Sequence, residues 1–305
     1  MVTPVVRRSP HRGPRSCALA PVSRTLLALW LLLASALGGS ASVASGRSPE
    51  DNDPPLPVVT ETRLVPLPPV SEIWRPYSPG EELTYAVKFG PLRAGTAVLT
   101  VMGYEWANGG LCYRIRSTVR SSGFFSNFFK VDDMTESWFD VDSLFSRRYF
   151  RNINEGGYHR LESVQVDARR GLGFYFPRGD TVSVSPASQD VLSVIYFARG
   201  LPLDVGQSVM IPGHVDRKNV PFELRVLKRE TVKVPAGTFT CGVVEPLLRS
   251  AGLFKQEGRV TLWVSDDAHR YPVIVRSRVK VGAISAVLES IRPGTGATPD
   301  SLRYP

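Results

Sequence analysis

Cysteine is scarce in this chain. There are three in 305 residues, Cys17, Cys112 and Cys241, and no C-x-x-C pair. That excludes a disulfide-stapled scaffold and leaves a dithiol redox centre without its motif. Histidine is nearly as rare, four in all. His159, His214 and His269 stand apart rather than at metal-ligand spacing, so no metal is expected. G-x-S-x-G, H-E-x-x-H, a Walker loop and a dinucleotide fingerprint are all missing, and Gly294-x-Gly296 lacks a third glycine. No catalytic residue and no cofactor is therefore expected. Helical patterns do not alternate with strand patterns, which excludes a doubly wound parallel sheet. The mostly apolar run Leu26–Leu37 is too short for a membrane span, which takes about 20 residues.

What is present begins with a leader. Residues 1–44 carry Arg7, Arg8, Arg12, Arg15 and Arg24 and no acid, so without them the formal charge falls from +9 to +4. A mildly basic remainder is unlike a nucleic-acid binder, whose cations cluster against phosphates. A basic start, the run LLALWLLLASAL and the small residues Ser42-Val43-Ala44 read as a secretory signal, placing the mature protein in the periplasm or outside the cell. No cysteine follows the run to accept a lipid anchor. The long basic stretch before it suggests a true start downstream of Met1, near Val22. Residues 45–80 contain nine prolines; residues 45–76 are expected to be a disordered tether. Residues 293–305 are expected to be a frayed tail.

Between them, residues 77–292 alternate with period two. Tyr113, Ile115, Ser117 and Val119 oppose Arg114, Arg116 and Thr118. Val275, Val279 and Val281 oppose Arg276, Arg278 and Lys280, and Phe222, Leu224 and Val226 alternate with Glu223 and Arg225. One dry face and one wet face is the mark of antiparallel strands. Asn108-Gly109-Gly110, Glu155-Gly156-Gly157, Arg178-Gly179-Asp180 and Pro235-Ala236-Gly237 read as turns. Gly123–Lys130 places four phenylalanines at helical spacing, and Asp190–Arg199 starts with an N-cap residue and ends at Gly200. The expected fold is mainly β: one large antiparallel curved sheet, barrel or half-barrel, with one or two short helices. Parity puts Cys112 on the arginine face and Cys241 on the core face, which argues against a disulfide between them.

Several blocks, in order, resemble the exported bacterial family known as domain of unknown function 3108. They are Tyr85 with Arg93-Ala94-Gly95-Thr96-Ala97, Phe129–Asp133 with Glu136, Ser137 and Asp140, and Asp190-x-Leu192-Ser193-x-x-Tyr196-x-x-Arg199. Val234–Phe239 with Cys241, Trp263–Asp267 with Arg270 and Pro272-Val273, and Gly282 and Leu288 complete the set. The resemblance implies an exported, mostly antiparallel domain and supplies no activity or catalytic residue. The layout is also similar to periplasmic lipoprotein carriers, whose curved sheet wraps an apolar cavity.

Three functional expectations follow. The first is non-catalytic binding of an apolar or amphipathic, lipid-like ligand in a β cavity. In it Phe124, Phe125, Phe128 and Phe129 serve as a plug or lid, and Tyr196 and Arg199 face an anionic group. Arg114, Arg116 and Arg120 would merge with Arg276, Arg278 and Lys280, if their strands are adjacent, into a basic patch facing lipid head groups or an envelope glycan. The second is a structural or scaffolding module with an envelope protein partner. The third is a hydrolase using Asp266, Asp267 and His269, against the simpler reading of that cluster as a capped turn.

Overall fold

The computed structural model describes residues 62–202, 204–248, 260–278 and 283–296. The signal, residues 45–61 of the tether, Lys280 and residues 297–305 lie outside them. The strands are β1 (Arg63–Leu64), β2 (Glu82–Phe89), β3 (Leu92–Ala107), β4 (Gly110–Ser121), β5 (Asp132–Asp140) and β6 (Ser146–Glu155). There follow β7 (Tyr158–Asp167), β8 (Leu172–Phe176), β9 (Thr181–Ser183), β10 (Gln207–Ile211), β11 (His214–Val215) and β12 (Lys218–Asn219). The last five are β13 (Phe222–Val234), β14 (Gly237–Leu248), β15 (Val260–Ser265), β16 (Pro272–Arg278) and β17 (Ala283–Arg292). Two short helices, α1 (Gly123–Ser126) and α2 (Ser193–Arg199), complete the set.

Fifteen strands form one curved, open sheet in the order β1-β10-β13-β14-β15-β16-β17-β2-β3-β4-β5-β6-β7-β8-β9, while β11 and β12 pair only with each other. Except for the parallel β1–β10 pair, every neighbour in the large sheet is antiparallel. The expected turns join the expected strands. Asn108 (φ 45°) and Gly109 (φ 81°) close β3–β4 in the left-handed conformation that a two-residue hairpin demands. Gly95 matters for a different reason. A Cβ there would lie 2.2 Å from the Arg120 carbonyl oxygen, so β4 can approach only a glycine.

The inner face of β2, β3 and β4 carries Leu83, Tyr85, Val87, Ala97, Leu99, Val101, Tyr113 and Ile115, all buried. They join Val243, Trp263, Val273, Ile284 and Leu288 in one core, and α2 lies within it through Tyr196 and Phe197, with Leu192 just before it. Burying such side chains contributes about 1.5–3 kcal/mol each. The segment expected as tether is ordered from residue 62. Arg63 and Val65 donate to the Gly206 and Ser208 carbonyls (2.8 and 2.9 Å), and Val65, Leu67, Val70 and Ile73 pack on the core. Proline lacks a donor, but an edge strand needs donors on one side only, and here the non-proline residues supply them. At the other end Thr295 donates to Pro79 (2.7 Å), so residues 293–296 are held as well.

Candidate functional site

The helix at 193–199 is where the core is sealed. Asp190 Oδ1 accepts the N–H groups of Leu192 and Ser193 (2.7 and 2.8 Å), and Ser193 Oγ accepts the Asp190 N–H (2.9 Å). This is the reciprocal cap expected from Asp190. Asp190 Oδ2 accepts the Ser137 and Ser146 hydroxyls (2.6 and 2.5 Å). Burial nevertheless raises its carboxyl pKa. Gly200 ends the helix where a Cβ would meet the Trp74 carbonyl at 2.2 Å.

Tyr196 and Arg199, expected to face an anionic group, are both fully buried. Arg199 makes two hydrogen bonds to Glu81 (2.6 and 2.9 Å) and further bonds to the carbonyls of Pro76, His269 and Arg270 (3.1, 3.0 and 3.1 Å). Every donor-bearing nitrogen is engaged, because a cation this deep persists only when matched by a carboxylate and dipoles. Tyr196 packs edge-to-face on Tyr77 (5.2 Å), its hydroxyl pushed up by burial. Thus α2, not the phenylalanine cluster, is the plug. Among the described residues the pocket lined by Tyr149, Arg151, Glu162, Tyr175 and His214 has a volume of about 30 Å3, room for a water or two and not for an acyl chain. Where an acyl cavity was expected, the described residues show an interior filled by α2 and the core side chains.

The basic stripes are also corrected. Three strands separate β4 from β16, so the stripes lie roughly 19 Å apart at ~4.8 Å per strand. The β4 arginines are neutralised where they stand. Arg114 and Arg116 both bind Glu136, Arg114 also binds Glu105 (2.9 Å), and Arg120 pairs with Asp132 (3.0 Å). Arg114 and Arg148 lie over the Trp138 ring at 5.2 and 4.3 Å and bury it from outside. Arg276 lies over Trp263 (5.5 Å), Arg278 is exposed, and Lys280 is outside the described residues.

The 265–270 cluster is a capped turn. Asp267 Oδ1 accepts from the Ser265 hydroxyl and from the N–H groups of His269 and Arg270 (3.0, 2.8 and 3.1 Å). Asp266 pairs with Arg229 (3.0 Å), and the His269 ring stacks on Tyr271. The carboxylate beside Ser265 is consumed by the turn, so no activated nucleophile is assembled. Cys112 and Cys241 are free and buried, each thiol pushed up to about 12 by burial. Cys112 does lie on the arginine face, but it is buried there rather than exposed as expected.

Beyond β5 the inner face turns ionic. Arg151 on β6 is buried and donates through Nη2 to Glu162 and Asp216 (both 2.6 Å); Arg160 also donates to Asp216 (3.0 Å). Arg217 pairs with Glu162 (3.2 Å) and Asp180 (2.9 Å) and lies 4.6 Å over the Tyr175 ring. Asp216 and Arg217 form the tip of the β11–β12 hairpin, both at positive φ, which straps this half of the sheet. Burial works to raise the Glu162 carboxyl, but Arg151 and Arg160 outweigh it and hold it below the ordinary value. His214, bonded to the Tyr175 hydroxyl (2.7 Å) and Asn219 (2.8 Å), is lowered by burial. Sequence reasoning missed this cluster, whose one local signal was Arg151 in phase with Tyr149 and Ile153.

One end of the sheet differs from all of this. Helix α1 is a single turn, and it leaves Phe124 and Phe128 68% and 78% exposed, in edge-to-face contact at 5.4 Å. Phe125 and Phe129 are half-buried; Phe129 rests on Gly156 in the β6–β7 turn. The Lys130 carbonyl accepts the Gly156 N–H (2.8 Å) and ties the two loops together. Leu92, Tyr158, Leu161 and Phe176 are exposed on the neighbouring turns and strand ends, with Lys130 and Arg178 among them. Beneath this loop, Asp133 and Glu155 form a hydrogen-bonded pair of buried carboxyls, and burial pushes Glu155 up to about 10.

Residues 84–289 match the family model described as Protein of unknown function (DUF3108). The chain belongs to this family. Several of the blocks that carry the resemblance meet around α2: Ser137 binds Asp190, Arg199 binds the His269 and Arg270 carbonyls, and the Tyr85 hydroxyl donates to the Pro272 carbonyl (2.8 Å). Those residues hold α2 in the core. No curated protein matches the sequence. Among solved structures the chain is similar to a β-barrel-like protein of domain of unknown function DUF1849 from Brucella abortus. That pair has a TM-score of 0.48 and 11% identity over 71% of this chain and 98% of that one. It is also similar to a protein assigned to export with a YmcC-like fold from Bacteroides fragilis (TM-score 0.31, 14% identity, 72% and 99% covered). A third similarity is to a protein assigned as a lipoprotein from Parabacteroides distasonis (TM-score 0.32, 12% identity, 72% and 99% covered).

Proposed function

We propose that this protein is an exported, non-catalytic module of the cell envelope that docks on a lipid surface through the aromatic end of its sheet. The observation that carries the reading is the exposure of Phe124 and Phe128 on one turn of helix, braced by the half-buried Phe125 and Phe129. Exposed aromatic pairs of this kind are costly in water and are suited to the boundary between head groups and acyl chains. Lys88, Lys130, Arg178 and Arg278 stand at the same end and complement an anionic surface. The filled interior directs the lipid reading to the outside of the sheet.

The test is sedimentation of the protein, purified after export from a bacterial periplasm, with phosphatidylglycerol-containing vesicles. The wild type is expected to pellet with them. The double substitution Phe124→Ser/Phe128→Ser should weaken partitioning by about 100-fold, since each ring loses about 1.5 kcal/mol of burial. Equal partitioning of the two proteins would overturn the reading.

A further inference from the structure

Between the start of β7 and the β8–β9 turn runs a groove of about 420 Å3, lined by Arg160, Glu162, Arg178 and Arg217 with Tyr158 and Phe176. We infer that it is a subsite for the phosphodiester head group of an anionic phospholipid. The inference rests on the docking reading and names the lipid class.

Two of its guanidiniums are held in place from behind. Arg160 is engaged through Nη2 by Glu162 and Asp216, and Arg217 through Nε and Nη2 by Asp180 and Glu162. Among the described residues Nε and Nη1 of Arg160 and Nη1 of Arg217 have no acceptor, so oriented donors remain. Arg217 is fixed further by the Tyr175 ring at 4.6 Å and by donation of its own N–H to the Tyr175 hydroxyl (3.2 Å). Arginines already locked by carboxylates lose little freedom when an oxyanion arrives, and the planar fork suits phosphate.

The charge count points the same way. Arg151, Arg160 and Arg217 are matched by Glu162, Asp180 and Asp216. Arg178 is exposed on its turn with no partner among the described residues, so the cluster carries one unmatched positive charge. His159, at the rim, is bonded to the Asn154 side chain (3.0 Å). One phosphodiester brings one negative charge. The rings of Tyr158 and Phe176 lie beside it for the apolar portion that follows the head group, on the end of the sheet that carries α1.

The experiment titrates the exported protein with short-chain, water-soluble dihexanoyl phosphatidylglycerol and, separately, with dihexanoyl phosphatidylcholine, read by chemical-shift change at Tyr158, Arg178 and Arg217. Phosphatidylglycerol should bind at least about tenfold more tightly, and Arg178→Gln should remove that preference. Phe124→Ser/Phe128→Ser should leave the soluble titration unchanged while weakening vesicle partitioning by about 100-fold. Equal affinity for the two lipids, or an unaltered preference in Arg178→Gln, would overturn the subsite. If vesicles fail to bind but the soluble titration succeeds, the docking surface is wrong and the groove stands. The converse result condemns the groove alone.

Discussion

The two halves of the concave face obey one backbone rule and opposite chemistries. On β2–β4 and β13–β17 the inward positions are mostly aliphatic and aromatic, and among the described residues the fully buried ion pair Arg199–Glu81 lies with them. On β5–β8 the inward positions include Asp133, Thr135, Ser137, Arg151, Arg160 and Glu162, and the covering element is a charged hairpin rather than an apolar helix. The first half is held by area removed from water, the second by mutual satisfaction of charges. The two should therefore fail differently: a solitary buried pair has no substitute partner, whereas a network shares its losses.

The largest expected effect is at the solitary pair. Arg199→Met should destabilise the fold by about 3–5 kcal/mol, because Glu81 is left buried without a partner. Replacing both, Arg199→Met/Glu81→Gln, should recover a substantial part of that loss in urea denaturation. In the ionic half Asp216→Asn should cost less, about 1–2 kcal/mol, since Arg151 and Arg160 keep Glu162. Equal losses at Arg199 and Asp216 would erase the distinction.

A smaller effect should separate the halves by pH. Glu155 is raised in the folded state to about 10, well above its ordinary value, so the unfolded chain releases this proton first. Its contribution is fully present below about pH 4.5 and is lost progressively as pH rises toward about 10. Glu155→Gln can still donate to Asp133 and should flatten that decline, raising stability at about pH 8 by roughly 1 kcal/mol. A parallel pH slope in the two proteins would show that this pair does not carry it. The smallest effect is expected on the outer face: Arg120→Ala removes an exposed pair and should change stability by about 0.5 kcal/mol or less.

Much of the first half was legible in the sequence. Tyr113, Ile115 and Ser117 share a face as their alternation requires, the glycine turns fall between strands, and Asp190 caps the helix that Gly200 ends. Alternation reports which residues share a face, not which face is dry. The arginines of β4 were read correctly as outward; Arg199 and Arg151 point inward because their partners, Glu81 and Asp216, arrive from distant segments that no local window contains. Residues 62–76 were hidden by their prolines, although Val65, Leu67, Val70 and Ile73 held the docking signal. Helical spacing of the four phenylalanines was visible, but the seating of Phe129 on Gly156 of the β6–β7 turn is a tertiary contact that no local window contains.

The most direct test of the account is amide hydrogen exchange with and without phosphatidylglycerol vesicles. Protection is expected at residues 123–130, 156–161 and 176–179, with no change at residues 105–110, 193–200 or 266–270. Protection centred on residues 193–200 would contradict it, placing the lipid in the plugged interior instead of at the aromatic end.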